Sequence, residues 1–590
     1  MTTPQERPHK TTSGQDHQFY NSANSSIQEN ITTLTTLHPT IRQLGDLPCV
    51  LHTCPDPRNV SLICGGGSGH EPAHGGYVGA GMLTGAVAGN VFASPSSTLV
   101  LELILEVTGD AGCLVIVKNY TGDCLNFGIA VEKAKKMGRK VEMVICADDT
   151  TLLDQDTLAG PRGLCGVLFI HKIAGACAAQ GHSLEAVYRV AQLVAKNVGT
   201  AGVAVSPCVP PGKAPSFTLP PSTMEFGIGI HGEPGALRCG SICCKSTVDK
   251  LFAYLSDERG MGLKSGEDVA VIVNNLGGTS ELEMGVACQE VVKWMELQNI
   301  TCYQLYCGVY MTSLGMHGIS LSVIRLDKEG TLLEMLHYPT SAPAWKPGCD
   351  QVKLPQVPHR IPKAPKTYTP KAGILNDRIN KILSTIYTDL LSKVSELDEL
   401  DRQVGDGDCG STVAGVVKQL QTRTPHLDYS SFSLLLTQLS DIVEEHMGGT
   451  SGALYTIGLT AAAGQAKLSG DTSCEEVTVS VLASCLESAL SAVVRYGKAQ
   501  EGDCTMLDVL YPVLRVMQLN STAHMTTVTA LCTQVADTGV MKTATLKPRA
   551  GRASYIRTED IDACADPGAV AAATWVKAVC KCFYLDDIMI

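Results

Sequence analysis

The sequence predicts a multidomain protein, with an α/β part up to about residue 340, an all-helical part after residue 370, and a tether between them. Three observations support this. In the first part, short β-branched runs end in glycine turns and alternate with helix-like segments. Eight of the 28 prolines then fall between Pro339 and Pro370. Beyond them, apolar residues recur three and four positions apart. A chain of 590 residues is too long for a single core.

The strands of the α/β part are predicted from apolar runs that stop at glycine or at a polar turn. The runs are VSLICGGG (60–67), GCLVIVKNYTGD (112–123), KVEMVICADD (140–149), DVAVIVNNLGG (268–278) and GISLSVIRLD (318–327). Helix-like segments lie between them, at 124–138 and 282–298. Because ligands bind at the carboxyl ends of strands in α/β sheets, we expect the functional residues to follow these runs.

The proline-rich segment cannot propagate a helix and favours extended polyproline geometry. At roughly 3.1 Å per residue, its last ~25 residues could span up to about 75 Å. After it, one apolar stripe predicts a helix, and further helical segments follow at 431–447 and 476–496. The stripe comprises Ile379, Ile382, Leu383, Ile386 and Leu390.

Composition and charge argue against several classes of protein, among them nucleic-acid-binding and membrane-spanning proteins. The net charge is −12, which argues against a nucleic-acid partner, since such a protein needs a basic surface. We expect no membrane span, because no apolar run reaches ~18 residues. The N-terminus MTTPQERPHKTTSGQDHQ has no apolar signal core. The 24 cysteines are scattered through apolar runs, so we expect buried reduced thiols and a cytoplasmic protein. Their spacing gives no support for a zinc site.

The stretch GIGIHGEPG, 227–235, places one histidine among four glycines. It also matches the dinucleotide fingerprint G-x-G-x-x-G, but that fingerprint should open a helix, and Pro234 can start a helix but not continue one. The simplest interpretation is a structural histidine in a tight turn. The alternative is a reactive imidazole that needs space around it.

The stretch LDELDRQVGDGDCGST, 397–412, leads three aspartates from a helix end into a glycine turn. Converging carboxylates of this kind suit Mg²⁺ bound to phosphates. A calcium EF-hand is excluded, because position twelve would be Val417 counted from Asp406, or Thr412 counted from Asp401, and neither is glutamate. A solvated acidic turn is the other alternative.

The stretch HMGGTSGALY, 446–455, puts glycines and hydroxyls before a helical run, where free backbone amides bind anions. Alone it is a weak signal. Similar polar glycine turns recur at 496–508, 550–556 and 566–569. Carboxylates and amides together predict a nucleotide–Mg²⁺ site. The sequence contains neither a Walker A motif nor a kinase catalytic loop.

Taken together, these motifs resemble the dihydroxyacetone kinase family over nearly the whole chain, in the family's order. The matching segments are GGGSGHEPAH (65–74), IVKNYTGDCLNFG (116–128), GIGIHGE (227–233), NNLGG (274–278), GDGDCGST (405–412), MGGTSGALY (447–455), TMLD (505–508) and GRASYI to DPGA (551–569). The chain is most similar to the single-chain, ATP-dependent type, in particular to its animal members.

The resemblance implies a domain layout. Residues 1–20 would be a flexible start, and 21–345 an α/β dihydroxyacetone-binding domain whose two subdomains separate near residue 205. Residues 346–370 would be the linker, and 371–590 an all-α barrel of eight antiparallel helices that binds ATP and Mg²⁺. The resemblance also suggests a homodimer.

The resemblance implies that the ring nitrogen of His231 adds to the ketone of dihydroxyacetone and forms a covalent hemiaminal. A neutral imidazole must approach a carbonyl carbon closely, and glycines leave room for it. Further residues would wrap the triose: Gly67, Ser68, Gly69 and His70. Lys118 and Asp123 would contact its hydroxyls, although this pair could also be a surface ion pair. His70 and Asp123 would take the proton from the attacking hydroxyl.

In the helical domain, the resemblance assigns two Mg²⁺ ions on the ATP phosphates to Asp401, Asp406 and Asp408. A larger set would frame the nucleotide: Asp406, Gly407, Asp408, Cys409, Thr450, Ser451, Gly497, Thr505, Met506, Asp566, Pro567 and Gly568. Mn²⁺ or Co²⁺ are alternative ions for the FAD-splitting activity of the animal type.

One position departs from the family pattern. Cys504 stands in GDCTMLD where arginine is expected, so a cation near the phosphates is lost, and a neutral thiol cannot replace it. The compensating cations would be Lys498, Lys542, Lys547, Arg549 or Arg552.

Three functions remain open at this point. The first is a triose kinase for dihydroxyacetone or glyceraldehyde. The second is a lyase that splits FAD into AMP and cyclic FMN, which needs the aspartates but not His231. The third is a catalytically weakened regulatory binding protein, which Cys504 keeps open. The intact histidines and aspartates favour catalysis.

Overall fold

A computed structural model describes residues 19–23, 25–153, 160–215, 218–350, 352–355, 377–474, 476–555 and 564–586. Most of the expected flexible start (1–20) and of the proline-rich linker (346–370) lies outside the described residues. The chain divides into two compact units, 1–357 and 358–590.

The first sheet of the α/β unit has six strands in the order β1-β2-β4-β3-β5-β6. Their bounds are β1 (Ile41–Gln43), β2 (Cys49–His52), β3 (Ser61–Ser68), β4 (Gly85–Val91), β5 (Cys113–Lys118) and β6 (Val141–Cys146). The last four strands in this order are parallel, whereas β1 and β2 pair antiparallel. The parallel strands end at the same edge, where the glycines of β3 and Lys118 of β5 lie.

The second sheet has seven strands in the order β13-β11-β10-β12-β7-β8-β9 and is mostly antiparallel. Its strands are β7 (Val198–Ala204), β8 (Thr223–Phe226), β9 (Leu237–Gly240), β10 (Asp268–Asn275), β11 (Thr301–Gly308), β12 (Gly318–Arg325) and β13 (Cys349–Asp350). The loop that carries His231 joins β8 to the edge strand β9.

Eight helices cover the two sheets. They are α1 (Ser26–Leu37), α2 (Ser97–Val107), α3 (Thr121–Lys136), α4 (Val167–Ala179), α5 (Leu184–Asn197), α6 (Cys244–Leu255), α7 (Glu281–Leu297) and α8 (Thr331–His337). Helix α4 is buried on almost every face, because residues of both sheets share one core with it. On the outer faces, α2 and α3 cover the first sheet, and α6 and α7 cover the second. A capping box between Ser280 and Glu283 begins α7.

The helical unit contains α9 (Asp377–Ser392), α10 (Val394–Val404), α11 (Cys409–Arg423), α12 (Phe432–His446), α13 (Gly449–Leu468), α14 (Val479–Gly497), α15 (Leu507–Leu519), α16 (Met525–Thr543) and α17 (Pro567–Asp586). From α11 to α17, each helix packs against the next along the chain, and α9 packs against both α17 and α11. The predicted α/β half and helical half are therefore both present.

Helix α14 bears on the expectation that the chain has no membrane span. Over its 19 residues it is apolar enough, by length and composition, to cross a bilayer. Its apolar residues Val479, Ala483, Leu490 and Val493 instead join the core of the helical unit. A core helix of this kind passes the same test as a membrane span.

All 24 cysteines are free thiols, and most of them are buried. Cys49, Cys64 and Cys113 lie inside the first sheet and are fully buried there. This agrees with the expectation of reduced thiols that act as small apolar residues.

Candidate active site

The glycine-rich end of β3 forms the floor of the first candidate site. A Cβ atom at Gly67 would lie 2.6 Å from the backbone nitrogen of Ala93, and one at Gly69 would lie 2.7 Å from the ring of Phe92. Gly69 also has φ +103°, which side chains disfavour. Ser68 is buried, and its hydroxyl donates to the carbonyl of Gly89 at 2.8 Å. The glycines therefore let the strand end approach its neighbours closely and set the position of His70.

His70 presents a neutral imidazole whose Nε2 can accept a hydrogen bond or a proton. Its side chain is 1% exposed, and its Nδ1 lies 3.0 Å from the carbonyl oxygen of Thr312. A carbonyl can only accept, so Nδ1 carries the proton and Nε2 keeps its lone pair. Burial, and then the charges of Lys118 and His231, hold the pKa of His70 well below its ordinary value. Among the described residues, His70 Nε2 has no hydrogen-bond partner.

Lys118 and Asp123 follow the next parallel strand, β5, and both are buried, with 1% and 6% of their surface exposed. A Cβ at Gly66 would lie 3.5 Å from Asp123 Oδ2 and 3.7 Å from Lys118 Nζ, so both groups face the end of β3. Burial lowers the pKa of Lys118, and the charge of Asp123 opposes that shift. The surface ion-pair interpretation is therefore wrong, since both charges lie inside the fold.

The glycines around His231 are required by contacts within its loop. A Cβ at Gly229 would lie 1.8 Å from Glu233 Oε2, and one at Gly235 would lie 2.2 Å from the carbonyl oxygen of Phe226. Gly227 has φ +75°. Arg162 donates to the carbonyl of Gly227 at 2.6 Å and pairs with Asp149 at 2.7 Å. The glycines thus allow the loop to fold back on itself, and Arg162 holds it in place.

Glu233 orients the imidazole of His231. Its Oε1 lies 2.9 Å from His231 Nδ1, and its Oε2 accepts the backbone amide of His231 at 2.6 Å. Burial alone would raise the pKa of Glu233, but the hydrogen bond and charge of His231 outweigh it, so the pKa is lowered. When Nδ1–H donates to this carboxylate, the neutral ring tautomer carries its lone pair on Nε2, the nitrogen that can then act as a nucleophile.

Three rings surround His231 within a single site. The centroids of Tyr120, His70 and Phe92 lie 4.7, 4.8 and 5.1 Å from that of His231. The strand ends of the first sheet and the β8–β9 loop of the second sheet therefore meet here. Sequence reasoning missed Phe92, Tyr120 and Thr312, because they come from distant segments. It also missed Glu233, although this carboxylate lies only two residues after His231 in the segment HGE and could have been recognised from that spacing.

The acidic turn of the helical unit forms the second candidate site. The carboxylate oxygens of Asp401, Asp406 and Asp408 lie within 4.8 Å of one another. Asp401, on α10, accepts the backbone amide of Asp408 at 2.9 Å and that of Cys409 at 3.3 Å. Asp406 and Asp408 are exposed. Gly407 has φ +77°, which lets the turn place the acids together.

Two further aspartates extend this acidic cluster from chain segments far beyond the turn. Asp566 caps α17 by accepting the amide of Ala569 at 2.6 Å. Burial, and then the charges of Asp508 and Asp401, raise the pKa of Asp566 to about 7. Asp508 is itself buried and accepts the amides of Gly502 and Thr505 at 2.7 and 2.9 Å. Several carboxylates that lie this close together fit an oxygen-ligated cation.

The hydroxyl and glycine positions predicted for nucleotide binding lie at helix ends. Thr450 and Ser451 are exposed in the first turn of α13. One turn further on, Tyr455 has its pKa raised to about 12 by burial and then by Cys409 and Asp566, which places α13 beside the acidic cluster. Gly497 ends α14, and a Cβ there would lie 3.2 Å from Leu454.

The remaining predicted positions surround Asp566 and the start of α15. Thr505 and Met506 precede α15, and the Thr505 hydroxyl accepts the amide of Leu507 at 3.2 Å. Pro567 begins α17, and a Cβ at Gly568 would lie 3.0 Å from Asp566 Oδ2. Cys409 begins α11, and burial and then Asp401 and Asp566 raise its pKa to about 12.

Cys504 also lies beside the acidic cluster. Its thiol lies 3.3 Å from the carbonyl oxygen of Thr543, and burial and then Asp566 and Asp508 raise its pKa to about 12. The thiol is therefore uncharged and supplies no cation. Of the expected compensating residues, Lys498, Lys542, Lys547 and Arg549 are exposed, and the side chain of Arg552 lies outside the described residues.

Comparison with known proteins identifies two domains of one family in this chain. A Dak1 domain model matches residues 32–344, and a DAK2 domain model matches residues 403–581. The triokinase/FMN cyclase of Rattus norvegicus is 39% identical over 543 residues, which cover 88% of this chain and 90% of that protein.

Solved structures give the same result. The crystal structure of the dihydroxyacetone kinase of Citrobacter freundii in its native form superposes with a TM-score of 0.67 at 33% identity, covering 96% of this chain and 99% of that one. The same kinase in complex with AMP-PNP and Mg²⁺ gives a TM-score of 0.65 at 33% identity, covering 95% and 99%. Both domain models and nearly full-length relatives therefore agree that this chain belongs to the dihydroxyacetone kinase family, as a single-chain member with both domains.

Proposed function

We propose that the protein is an ATP-dependent kinase that phosphorylates dihydroxyacetone and glyceraldehyde, and that it also splits FAD into AMP and riboflavin cyclic 4′,5′-phosphate. One observation carries the kinase assignment. Glu233 holds Nδ1 of His231, so that Nε2 is the ring nitrogen left for attack in a site bounded by His70, Phe92 and Tyr120. A regulatory binding protein is not favoured, because the nearly full-length relatives are kinases.

We propose that His231 holds the triose covalently. Nε2 attacks the carbonyl carbon, the carbonyl π electrons move to oxygen, and that oxygen takes up a proton from solvent. The positive charge that develops on the ring faces the carboxylate of Glu233, 2.9 Å from Nδ1. An alcohol such as glycerol has no carbonyl and cannot form this bond, so selectivity follows from the chemistry of the bond.

His70 and Asp123 are the proposed proton acceptors for the hydroxyl that attacks the phosphoryl group. His70 Nε2 has a lone pair and no partner among the described residues, and the same holds for Asp123 Oδ1. Lys118 would bind a triose hydroxyl, and the backbone at Gly67, Ser68 and Gly69 would line the pocket. A neutral imidazole has the free lone pair that accepting a proton requires.

In the helical unit, Asp401, Asp406 and Asp408 would hold two Mg²⁺ ions. These ions neutralise phosphate charge and orient the transferred group. The amides at the starts of α11, α13 and α17, with Thr450, Ser451, Gly497, Thr505, Met506 and the segment 566–568, would frame the nucleotide. The packing order of α9 and of α11 to α17 supports a closed barrel of eight antiparallel helices around this site.

The proposed FAD reaction uses the same acidic cluster but not His231. The 4′-hydroxyl of the riboflavin chain attacks the phosphorus of the FMN half, and AMP leaves. Mn²⁺ or Co²⁺ are the proposed alternative ions, since carboxylate ligands accept both. The nearly full-length relatives called triokinase/FMN cyclase support this activity.

We further propose a cytoplasmic homodimer with no nucleic-acid or membrane partner. The free thiols support a cytoplasmic location, the net charge of −12 argues against a nucleic-acid partner, and the dimer rests on the family resemblance alone. Light scattering of the purified protein should give twice the mass of one chain. A single-chain mass at micromolar concentration would contradict the dimer.

Two assays on one preparation test the proposed function. Purified protein with Mg²⁺–ATP and dihydroxyacetone should form ADP and the triose phosphate, and glycerol should give no product. The same preparation should release AMP from FAD. Absence of triose phosphate from folded protein that binds ATP would contradict the kinase assignment and leave the regulatory alternative.

A further inference from the structure

A second cluster of potential metal ligands lies in the α/β unit and takes no part in the proposed kinase reaction. It consists of Cys64 on β3, His74 in the turn after β3, and His171 on α4. One ligand atom from each residue lies within 4.8 Å of the other two. All three side chains are buried, with 0%, 7% and 0% of their surface exposed. Helix α4 packs against β3 here, so the cluster joins two elements of the unit.

From this arrangement we propose that Cys64, His74 and His171 bind one thiophilic divalent metal ion, with zinc as its natural occupant. Thiolate and imidazole are the ligands that zinc prefers, and three protein ligands with one open position form a common zinc geometry. Hard ions such as Mg²⁺ prefer oxygen ligands, so this site and the acidic cluster would select different metals.

The two imidazoles are already nearly in position. His74 Nδ1 and His171 Nε2 lie 3.0 Å apart. A tetrahedral ion with Zn–N bonds of about 2.0–2.1 Å holds two nitrogens roughly 3.3 Å apart. The two nitrogens would therefore need to move apart by only a few tenths of an ångström to admit the ion between them. The ion would replace the hydrogen bond that links the two rings.

A purely structural histidine pair explains the cluster poorly. Within the described part of the chain, His74 Nε2 and His171 Nδ1 have no hydrogen-bond partner. A neutral pair shares one proton between the facing nitrogens and leaves two buried ring nitrogens unsatisfied. Buried polar atoms without partners call for a reason, and an ion that occupies the cluster is one such reason.

All three ligand side chains lie inside the fold, so the charge that an ion brings must be offset within the site. On binding, the Cys64 thiol forms the metal–sulfur bond and releases its proton to solvent, so the site gains one positive charge rather than two. A cavity of about 370 Å³ has His74 in its wall and provides a route to this ring.

Metal content of the full-length protein tests the proposal. The protein is equilibrated with zinc, passed over a weak chelating resin and analysed by mass spectrometry of the elements. We expect one tightly held zinc per chain, lost in Cys64→Ser. The matched control is Cys49→Ser, because Cys49 is an equally buried thiol on β2 of the same sheet that belongs to no such cluster among the described residues. Asp408→Asn should also retain the zinc.

Cobalt provides a second measurement that reports the ligand directly. Wild-type protein loaded with Co²⁺ should show sulfur-to-cobalt charge-transfer absorption, and Cys64→Ser and His171→Gln should each lose it. Zinc should raise the thermal unfolding midpoint of the wild type but not of Cys64→Ser. Wild-type protein that retains no zinc would overturn the proposal whether or not the variants fold. Equal retention by wild type and Cys64→Ser would overturn it as well.

Discussion

The two candidate sites differ in whether their charged groups are buried or exposed. In the α/β unit, His70, Lys118 and Asp123 are almost fully buried, and His70 is held neutral. In the helical unit, Asp406 and Asp408 are exposed, and several carboxylates lie close together. The first site is suited to making a covalent bond and moving a proton. The second depends on ions and phosphates that arrive from solution.

This difference implies that the two sites can be damaged separately. A lesion in the α/β unit should affect only reactions of the triose. A lesion in the acidic cluster should affect every reaction of a phosphate ester, since both proposed activities need the same ions. Four variants test this division, starting from the largest expected effect.

Asp408→Asn should lower both the kinase activity and the FAD-splitting activity by more than about 10³-fold, because the phosphate charge is no longer neutralised. The triose adduct on His231 should still be detected by mass spectrometry of the intact protein. Asp398→Asn is the matched control, since Asp398 lies on α10 beside the acidic turn but accepts hydrogen bonds from Ser411 at 2.8 and 2.9 Å. Normal ATP turnover in Asp408→Asn would show that the acidic turn is not the metal site.

His231→Ala should lower kinase activity by about 10²–10⁴-fold, a range typical for loss of a positioned catalytic imidazole, and should remove the adduct. FAD splitting should stay within about twofold of wild type, because this reaction does not use the triose site. His182→Ala, at an exposed histidine of the same unit, is the control. Equal loss of both activities in folded His231→Ala protein would break the division between the sites.

Glu233→Gln should lower kinase activity by about 10–100-fold, because the amide can still hydrogen-bond to Nδ1 but cannot balance the charge of the ring. The depressed pKa of Glu233 gives the sign of the pH dependence. The carboxylate is charged above the folded-state pKa, so its contribution to stability and adduct formation is lost as pH falls through that value. Glu233→Gln should lack this acid-side loss. An unchanged pH profile would contradict the assigned role.

Cys504→Arg should have the smallest effect, a gain of about three- to tenfold in turnover or in ATP affinity, because it returns a cation to the acidic cluster. The affinity for ATP is measured by calorimetry and the turnover by coupled assay. Cys504→Ala controls for loss of the thiol contact with Thr543. A decrease for arginine with no change for alanine would show that the cluster is already balanced by another cation.

The sequence predicted those parts of the fold whose signal is local. β3, β5 and β10 were recognisable because their runs are β-branched and end in glycine or a polar turn. β4 and β7 were not predicted, since GAVAGNV and VGTAGVA are rich in glycine and alanine, which carry little strand signal. The helical half was predicted from the periodicity of α9, α12 and α14.

The candidate sites were predictable only where their residues lie in one motif. His231 and the acidic turn can be recognised from the glycines and aspartates within their own motifs. The carbonyl of Thr312, which sets the tautomer of His70, comes from 242 positions away in the chain. The burial of Lys118 and the approach of Asp566 to Asp401 likewise depend on tertiary packing. Sequence patterns can therefore identify the reacting groups, whereas their protonation states require the structure.

The tight loop around His231 has a consequence for tolerance to random mutation. Substitution of Gly229 or Gly235 introduces a side chain into atoms less than 2.5 Å away, whatever the new residue is. Gly240, only a few positions further on, has open space where a Cβ would stand. A saturation library should therefore show a sharp boundary within this short stretch. Nearly every amino-acid substitution at Gly229 or Gly235 should abolish triose turnover, whereas substitutions at Gly240 should be tolerated. Such a boundary would mark the catalytic loop in a genetic screen without any assay of its chemistry.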